Sequence, residues 1–366
     1  MAASIKIALA NIILGIAGLV WLAALSRGSA RRPHAAILVP IAAYAIISVL
    51  SALLSADPRH SITELADLLT LALVPMTVSL FDQKRWDQLL RLMAAVLVVS
   101  AIVGLVQFAL GGDPLLHRMR GLATHYMTFS GWSLVVTLLL LGDVFFASDR
   151  RRLLWTLPVA ALGVSSLLLG LTRGAWIGLA TGMLLAIAVG RPRALILAPL
   201  AASLLYLALP QPVLKRAATT FDLRDTATLE RLEMFGSGIG MARDNPILGL
   251  GPGLVQPAYT DYRTGSTPAK IPHLHNNAIQ ITAERGVAGL LTYLTILGVF
   301  GLNVWRALQT SPSVARPEVI GCLMAVAGVT TAGFFEYNWG DAEVWIVTLV
   351  SLSAPFALVP WKAKAA

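Results

Sequence analysis

The sequence offers a single cysteine, Cys322, and it stands inside an apolar run. Neither a disulfide nor a thiolate metal framework can be built from one thiol. Charge is scarce as well: Asp, Glu, Lys and Arg make up 13% of 366 residues, against 57% apolar types. Soluble domains average about 25% charged residues, so a water-soluble domain of this length is excluded. The apolar–polar alternation of membrane β-strands is missing. No HExxH occurs, and no DxD-like carboxylate pair stands in the loops expected outside. The glycine-rich turn at Gly249, Gly251 and Gly253 lacks the Lys-Ser/Thr of a phosphate loop and follows no strand.

What the sequence does have is long apolar runs, with a mean hydropathy of +0.74. About 18–20 apolar residues cross a bilayer core as a helix. Backbone in lipid must be satisfied internally, and continuous runs select helices over a barrel. The fold class expected is all-α, a polytopic membrane protein of eleven or twelve spans. Eleven runs qualify: residues 5–25, 35–54, 62–80, 89–110, 129–147, 153–171, 174–189, 194–209, 287–305, 319–335 and 344–360. The first exceeds a signal-peptide core and lacks a convincing cleavage site, so it is read as a span. The expected parts are amino-terminal spans over 1–209, an outer segment over 210–285 with short helices, and carboxyl-terminal spans over 286–366.

Short loops rich in Lys and Arg mark the cytoplasmic side. Lys84-Arg85, Arg150 to Arg152, Arg191 and Arg193, Arg306 and Arg316, and Lys362 and Lys364 alternate with the other loops. Arg27, Arg31 and Arg32 also favour the cytoplasm. That puts the amino terminus outside, or makes 5–25 an in-plane helix or hairpin with both termini inside. The net charge of +9 sits largely in loops, as insertion requires, and nucleic acid is not the expected partner.

Basic residues also occupy the disfavoured side. Arg118 and Arg120 lie in one outer loop, and Lys215, Arg216, Arg224, Arg231, Arg243, Arg263, Lys270 and Arg285 in the long segment. They point to an anionic ligand, or to a loop long enough to translocate regardless of charge. Arg173 sits between two spans with almost no loop around it. Guanidinium groups recognise phosphate bidentately, so Arg120, Arg173 and Arg231 together would hold a diphosphate without metal. Singly, each also reads as an interfacial snorkelling residue.

Residues 226–241 have helical spacing, with Thr226 or Thr228 as N-cap and Asp244-Asn245-Pro246 as the stop. His34 is expected in a cytoplasmic loop, while His60, His117, His125, His273 and His275 fall outside. His273 and His275 have no acidic neighbour in sequence, so no metal site is expected. His275, at a loop–membrane boundary, reads as a general base or as a structural histidine at a helix start. Glu336 and Asp341 flank the last outer turn, and Asp341 would orient His275 or bind a sugar hydroxyl.

Four elements in order resemble the O-antigen ligase and polymerase family. His275-Asn276, nine residues, then Gly286-Val287-Ala288-Gly289 is the most specific. Asp244 to Gly253 looks like the family's NP-x-x-G-x-G turn, Leu171 to Trp176 like its S/T-R-G-A-W element, and Ser55 to Pro58 like its first outer turn. The resemblance implies a GT-C-like membrane glycosyltransferase of the inner membrane, acting at the periplasmic face. It implies a polyprenyl-diphosphate donor, Arg173 and Arg231 as diphosphate contacts, and His275 as catalytic base. Arg120 joins them on charge alone, and Asp341, Asn276 and Glu336 are supporting residues. The expected reaction moves a glycan from undecaprenyl diphosphate to lipid A-core, inverting, with no cofactor and no metal. Membrane lipids are the remaining partner. A polymerase or a protein O-oligosaccharyltransferase is the alternative; a transporter of lipid-linked anions is the reading from another class.

Overall fold

The computed structural model describes residues 2–33, 35–113, 117–190, 209–218, 224–265, 271–310 and 316–359. All regular elements among them are helical. In chain order these are α1 Ala2–Ser26, α2 Leu38–Leu53, α3 Pro58–Glu64, a 3₁₀ segment Leu65–Ala72, α4 Leu73–Leu80, α5 Gln83–Leu110, α6 Tyr126–Phe146, α7 Arg150–Leu169 and α8 Arg173–Gly190. Then come α9 Gln211–Ala218, α10 Thr226–Asp244, α11 Val255–Tyr262, α12 Asn277–Thr310, α13 Arg316–Ala332 and α14 Ala342–Leu358. Among the described residues, six stretches are long and apolar enough to span a bilayer: Pro58–Leu80, Gln83–Leu110, Tyr126–Phe146, Arg150–Leu169, Arg173–Gly190 and Asn277–Thr310. Ile12–Ser26, Leu38–Leu53 and Ala342–Leu358 are shorter apolar helices. The protein is an all-α polytopic membrane protein. His34 and almost all of the expected span 194–209 lie outside the described residues.

The chain forms two compact units. One comprises Met1–Asp82, Thr226–Arg306 and Gly333–Ala366; the other comprises Gln83–Asp225 and Ala307–Ala332. In the second unit α6 is buried on every side from Phe129 to Asp143. A helix apolar all round belongs at a centre rather than at a lipid face. It meets α13 where two glycines remove the side chains: a Cβ on Gly142 would lie 2.5 Å from Gly321 Cα. The α8–α13 contact is equally close, with Gly328 O 2.4 Å from a Cβ on Gly178. Small residues allow such approach, and in lipid close packing is a main source of helix association.

One end of this unit is held by charge. Arg152 Nε donates to Asp143 Oδ2 at 2.6 Å, and its Nη1 lies 2.9 Å from Glu318 Oε1 and 3.2 Å from Asp87. Gln83 Nε2 adds a bond to Glu318 at 2.7 Å. Four helices thus converge on one guanidinium. Asp143 and Glu318 are nearly inaccessible to solvent. Removing one partner of a buried pair strands the other and costs about 3–5 kcal/mol. We therefore expect Arg152→Met to lower the thermal unfolding midpoint in detergent, with a cost of about 3–5 kcal/mol. An unchanged midpoint would show the cluster to be dispensable.

In the first unit the long polar segment is no loose loop. α10 and α11 share a core of Met234, Met241, Val255 and Tyr259 with Ile271, Leu274 and Ala283. Leu274 is the residue before His275, so this core anchors the histidine from one side. The expected span 287–305 begins ten residues earlier, because α12 starts at Asn277.

Candidate active site at the break in helix α12

Helix α12 is interrupted at Gly286, whose φ of 64° and ψ of −168° are not helical. A break frees backbone carbonyls that need donors. The glycine turn supplies them: Leu250 N donates to Ala283 O at 2.8 Å and Gly251 N to Glu284 O at 2.9 Å. In return Val287 N donates to Pro246 O at 2.8 Å. A Cβ on Gly249 would lie 2.3 Å from Glu284 C, and one on Gly286 would lie 2.1 Å from Ile247 O. Both glycines also have positive φ. The two motifs are therefore halves of one interlock, and no larger residue fits either half.

Glu284 extends the interlock with its side chain. Its Oε1 accepts from Gly253 N at 3.2 Å and from Gln280 Nε2 at 2.8 Å. Gln280 Oε1 accepts from Leu274 N at 2.8 Å. Arg285 pairs with Glu284, donates through Nε to Ser48 Oγ at 2.9 Å, and lies 5.4 Å over the Tyr44 ring. Gln280, Glu284 and Arg285 are all buried. A chain of hydrogen bonds therefore runs from α2 through the glycine turn to the backbone that carries the histidine.

His275 has φ of 51°, a left-handed conformation uncommon for a residue with a Cβ. Its neighbours on both sides are held. Asn276 Oδ1 caps α12 by accepting from Ile279 N at 3.0 Å, and its Nδ2 donates to Phe334 O at 3.1 Å. Asn277 N donates to Gly333 O at 2.7 Å, and Asn277 Oδ1 accepts from Trp339 N at 3.0 Å. These bonds tie the start of α12 to the turn between α13 and α14, which brings Glu336 to the histidines. His275 Nδ1 lies 2.9 Å from Glu336 Oε2, and His273 Nε2 lies 3.3 Å from Oε1. The two imidazole centroids are 4.3 Å apart.

Burial works to raise the Glu336 pKa. The hydrogen bond from His275, the charges of His273 and His275 and the Tyr337 N–H outweigh it and hold the carboxyl below its ordinary value of 4.5. An ionised carboxylate only accepts, so His275 Nδ1 carries the proton. In the neutral imidazole Nε2 then holds the free lone pair, the arrangement of a general base oriented by a carboxylate.

Asp341 has a different place. It caps α14, accepting from Glu343 N at 3.2 Å and Val344 N at 3.4 Å. The carboxylate on His275 is that of Glu336. The absence of a nearby acid in sequence was the ground for expecting no metal; Glu336 supplies one from 61 positions downstream. Ligand atoms of His273, His275 and Glu336 all lie within 4.8 Å of one another, a set that suits a small divalent cation.

The arginines divide between the units. Arg231 is on α10 in the unit of His275, while Arg173 and Arg120 are in the other. Arg173, the first residue of α8, is buried, and its Nη2 donates to Asp225 Oδ2 at 2.7 Å. Arg216 Nη1 reaches the same carboxylate at 4.0 Å. Arg120 is exposed and lines a cleft with His117, Arg118 and His125. Sequence reading missed His273, Gln280 and Arg285 as members of the site, and Glu284 with them. Polar residues buried in a membrane helix are a functional signal, and the spacing of Gln280 and Glu284 by four is its trace in the sequence.

The family model described as O-antigen ligase matches residues 122–294. The matched stretch holds Arg173, Arg231 and His275 and leaves out Arg120, Glu336 and Asp341. No curated protein matches the chain.

Two outcomes are expected. Gln280→Leu strands Leu274 N at a local cost of about 1–3 kcal/mol, and hydrogen exchange at residues 273–276 should quicken. The depressed Glu336 pKa contributes stability above pH 4.5 that is lost as pH falls through the lower folded-state value. Thermal unfolding of Glu336→Gln should therefore show a flatter acid limb than wild type below pH 4.5.

Proposed function

We propose, from the match of residues 122–294 to the O-antigen ligase family model, that the chain transfers a glycan from undecaprenyl diphosphate to a hydroxyl of lipid A-core. The reaction takes place at the periplasmic face of the inner membrane. The observation that carries this reading is the 2.9 Å contact between His275 Nδ1 and Glu336. It leaves Nε2 as the basic atom of a histidine at a helix start.

In the step proposed, the acceptor hydroxyl oxygen attacks the anomeric carbon and its proton passes to His275 Nε2. The new O–C bond forms as the bond from the anomeric carbon to the phosphate oxygen breaks. Undecaprenyl diphosphate leaves with the electron pair, and one displacement inverts the configuration. Arg231, in the unit of His275, stabilises the leaving diphosphate, doing charge work otherwise left to a divalent ion; Arg173 and Arg120 keep the diphosphate role expected of them from the sequence. Glu336 holds the tautomer and stabilises the imidazolium that forms. Asn276 positions the base through the cap. A proton-transfer group of this kind contributes roughly 10²–10⁴-fold to rate.

The test mixes purified wild-type or His275→Ala protein with undecaprenyl-diphosphate glycan and lipid A-core, with EDTA present. Glycosylated lipid A-core from wild type, reduced at least about 10²-fold in the variant, supports the reading. Lengthening of the donor glycan assigns a polymerase instead. A requirement for a divalent ion after rigorous chelation removes the metal-free scheme.

A further inference from the structure

The first unit holds a partly open cleft of about 260 Å³ beside the histidine pair. Tyr44 of α2, Glu64 of α3, Asp67 of the 3₁₀ segment, His273, Trp339 and Trp345 of α14 are among its walls. His273 joins the cavity to the proposed base, since its ring lies 4.3 Å from that of His275.

Three features of the walls bear on what fits inside. Among the described residues, Trp345 Nε1 is buried without a hydrogen-bond partner, while the Tyr44 and Trp339 side chains next to it bond to each other. Trp345 and Trp339 are each 4% exposed and Tyr44 1%. Buried donors without acceptors are costly, and native structures match nearly all of them. Glu64 and Asp67 also line the space and stand outside any ion pair among the described residues, whereas Glu284, also in the wall, is matched by Arg285. The unmatched charge is therefore negative, and it disfavours phosphate or carboxylate in the cavity. The third feature is aromatic. Trp339 meets Tyr44, Tyr293 and Trp345 at centroid distances of 6.0, 4.8 and 5.6 Å. This is a stiff apolar wall with polar groups at its margins.

We infer that this cavity is a subsite for one pyranose ring that is neutral or carries an amine. Its C–H faces lie on the tryptophans. Its hydroxyls donate to Asp67 and Glu64, and one of its oxygens accepts from Trp345 Nε1. Asp67, Glu64 and Trp345 are then specificity-determining residues that touch a sugar without touching the reacting atoms. A pyranose of this kind can belong to the acceptor or to the donor glycan. That assignment rests on the transfer reading; the affinity of the cavity for a sugar does not.

The experiment uses the full chain in nanodiscs, as wild type, Asp67→Asn and Trp345→Phe. Trp345→Phe keeps an aromatic face but deletes the indole N–H together with part of the ring system. Saturation-transfer NMR is run with three probes: a methyl hexopyranoside, its 2-amino-2-deoxy analogue and a methyl hexuronide. Signals from the first two but not the third, weakened in both variants, support the proposal. In the transfer assay both variants should raise KM for one substrate about tenfold, as loss of one hydrogen bond to a ligand hydroxyl does, with kcat nearly unchanged. A rise for lipid A-core assigns the acceptor sugar, and a rise for the donor assigns the donor sugar. No glycoside signal from wild type, or equal signals and equal KM values in all three proteins, would overturn it. If wild type transfers no glycan to any acceptor, the transfer reading fails while the NMR arm still decides the cavity. If His275→Ala abolishes transfer while both cavity variants match wild type in every readout, that reading stands and this one falls.

Discussion

A helix that crosses a membrane cannot leave its backbone unsatisfied, and the break at Gly286 is the constraint around which the first unit is arranged. Carbonyls released at the break accept from Leu250 and Gly251. The glycine turn is thus less a flexible loop than a plug of fixed shape. Once it is seated, Glu284 and Gln280 carry the same order to Leu274, and the conformation of His275 follows. Positive φ at Gly249 and Gly286 serves this purpose.

The two units solve the problem of buried charge differently. In the second, Arg152 draws three carboxylates from three other helices, and the cluster acts as a clamp on their ends. In the first, Arg285 and Glu284 are sequence neighbours and share contacts with Ser48 and the glycine turn. That pairing is local, so it leaves the longer-range hydrogen bonds free to reach the histidine loop. Arg173 is a third case, a buried cation at the start of a helix that already has a carboxylate.

Much of this was legible in the sequence. Apolar run length found the helices, because that property is local and bilayer thickness is fixed. The two glycine-bearing motifs were visible as spaced glycines, though not that they interlock. Three things were hidden. The helical start at Asn277 was masked by the polar residues 277–285, which read as loop until their burial is known. The Glu336 contact joins positions 61 apart, beyond any periodicity. Asp341 looked as suitable as Glu336 because both flank one turn; only the direction of the turn separates a cap from a partner for histidine.

The left-handed backbone at His275 also limits what evolution or mutagenesis can place there. Glycine adopts that conformation freely and asparagine tolerates it, whereas β-branched residues are barred by their own Cβ. The position therefore filters replacements by shape before chemistry has a say. Alanine removes the imidazole but keeps the strained geometry, while glycine removes both. The difference between those two variants isolates the energy that the surrounding hydrogen bonds spend on holding a side chain where the chain alone would not leave it.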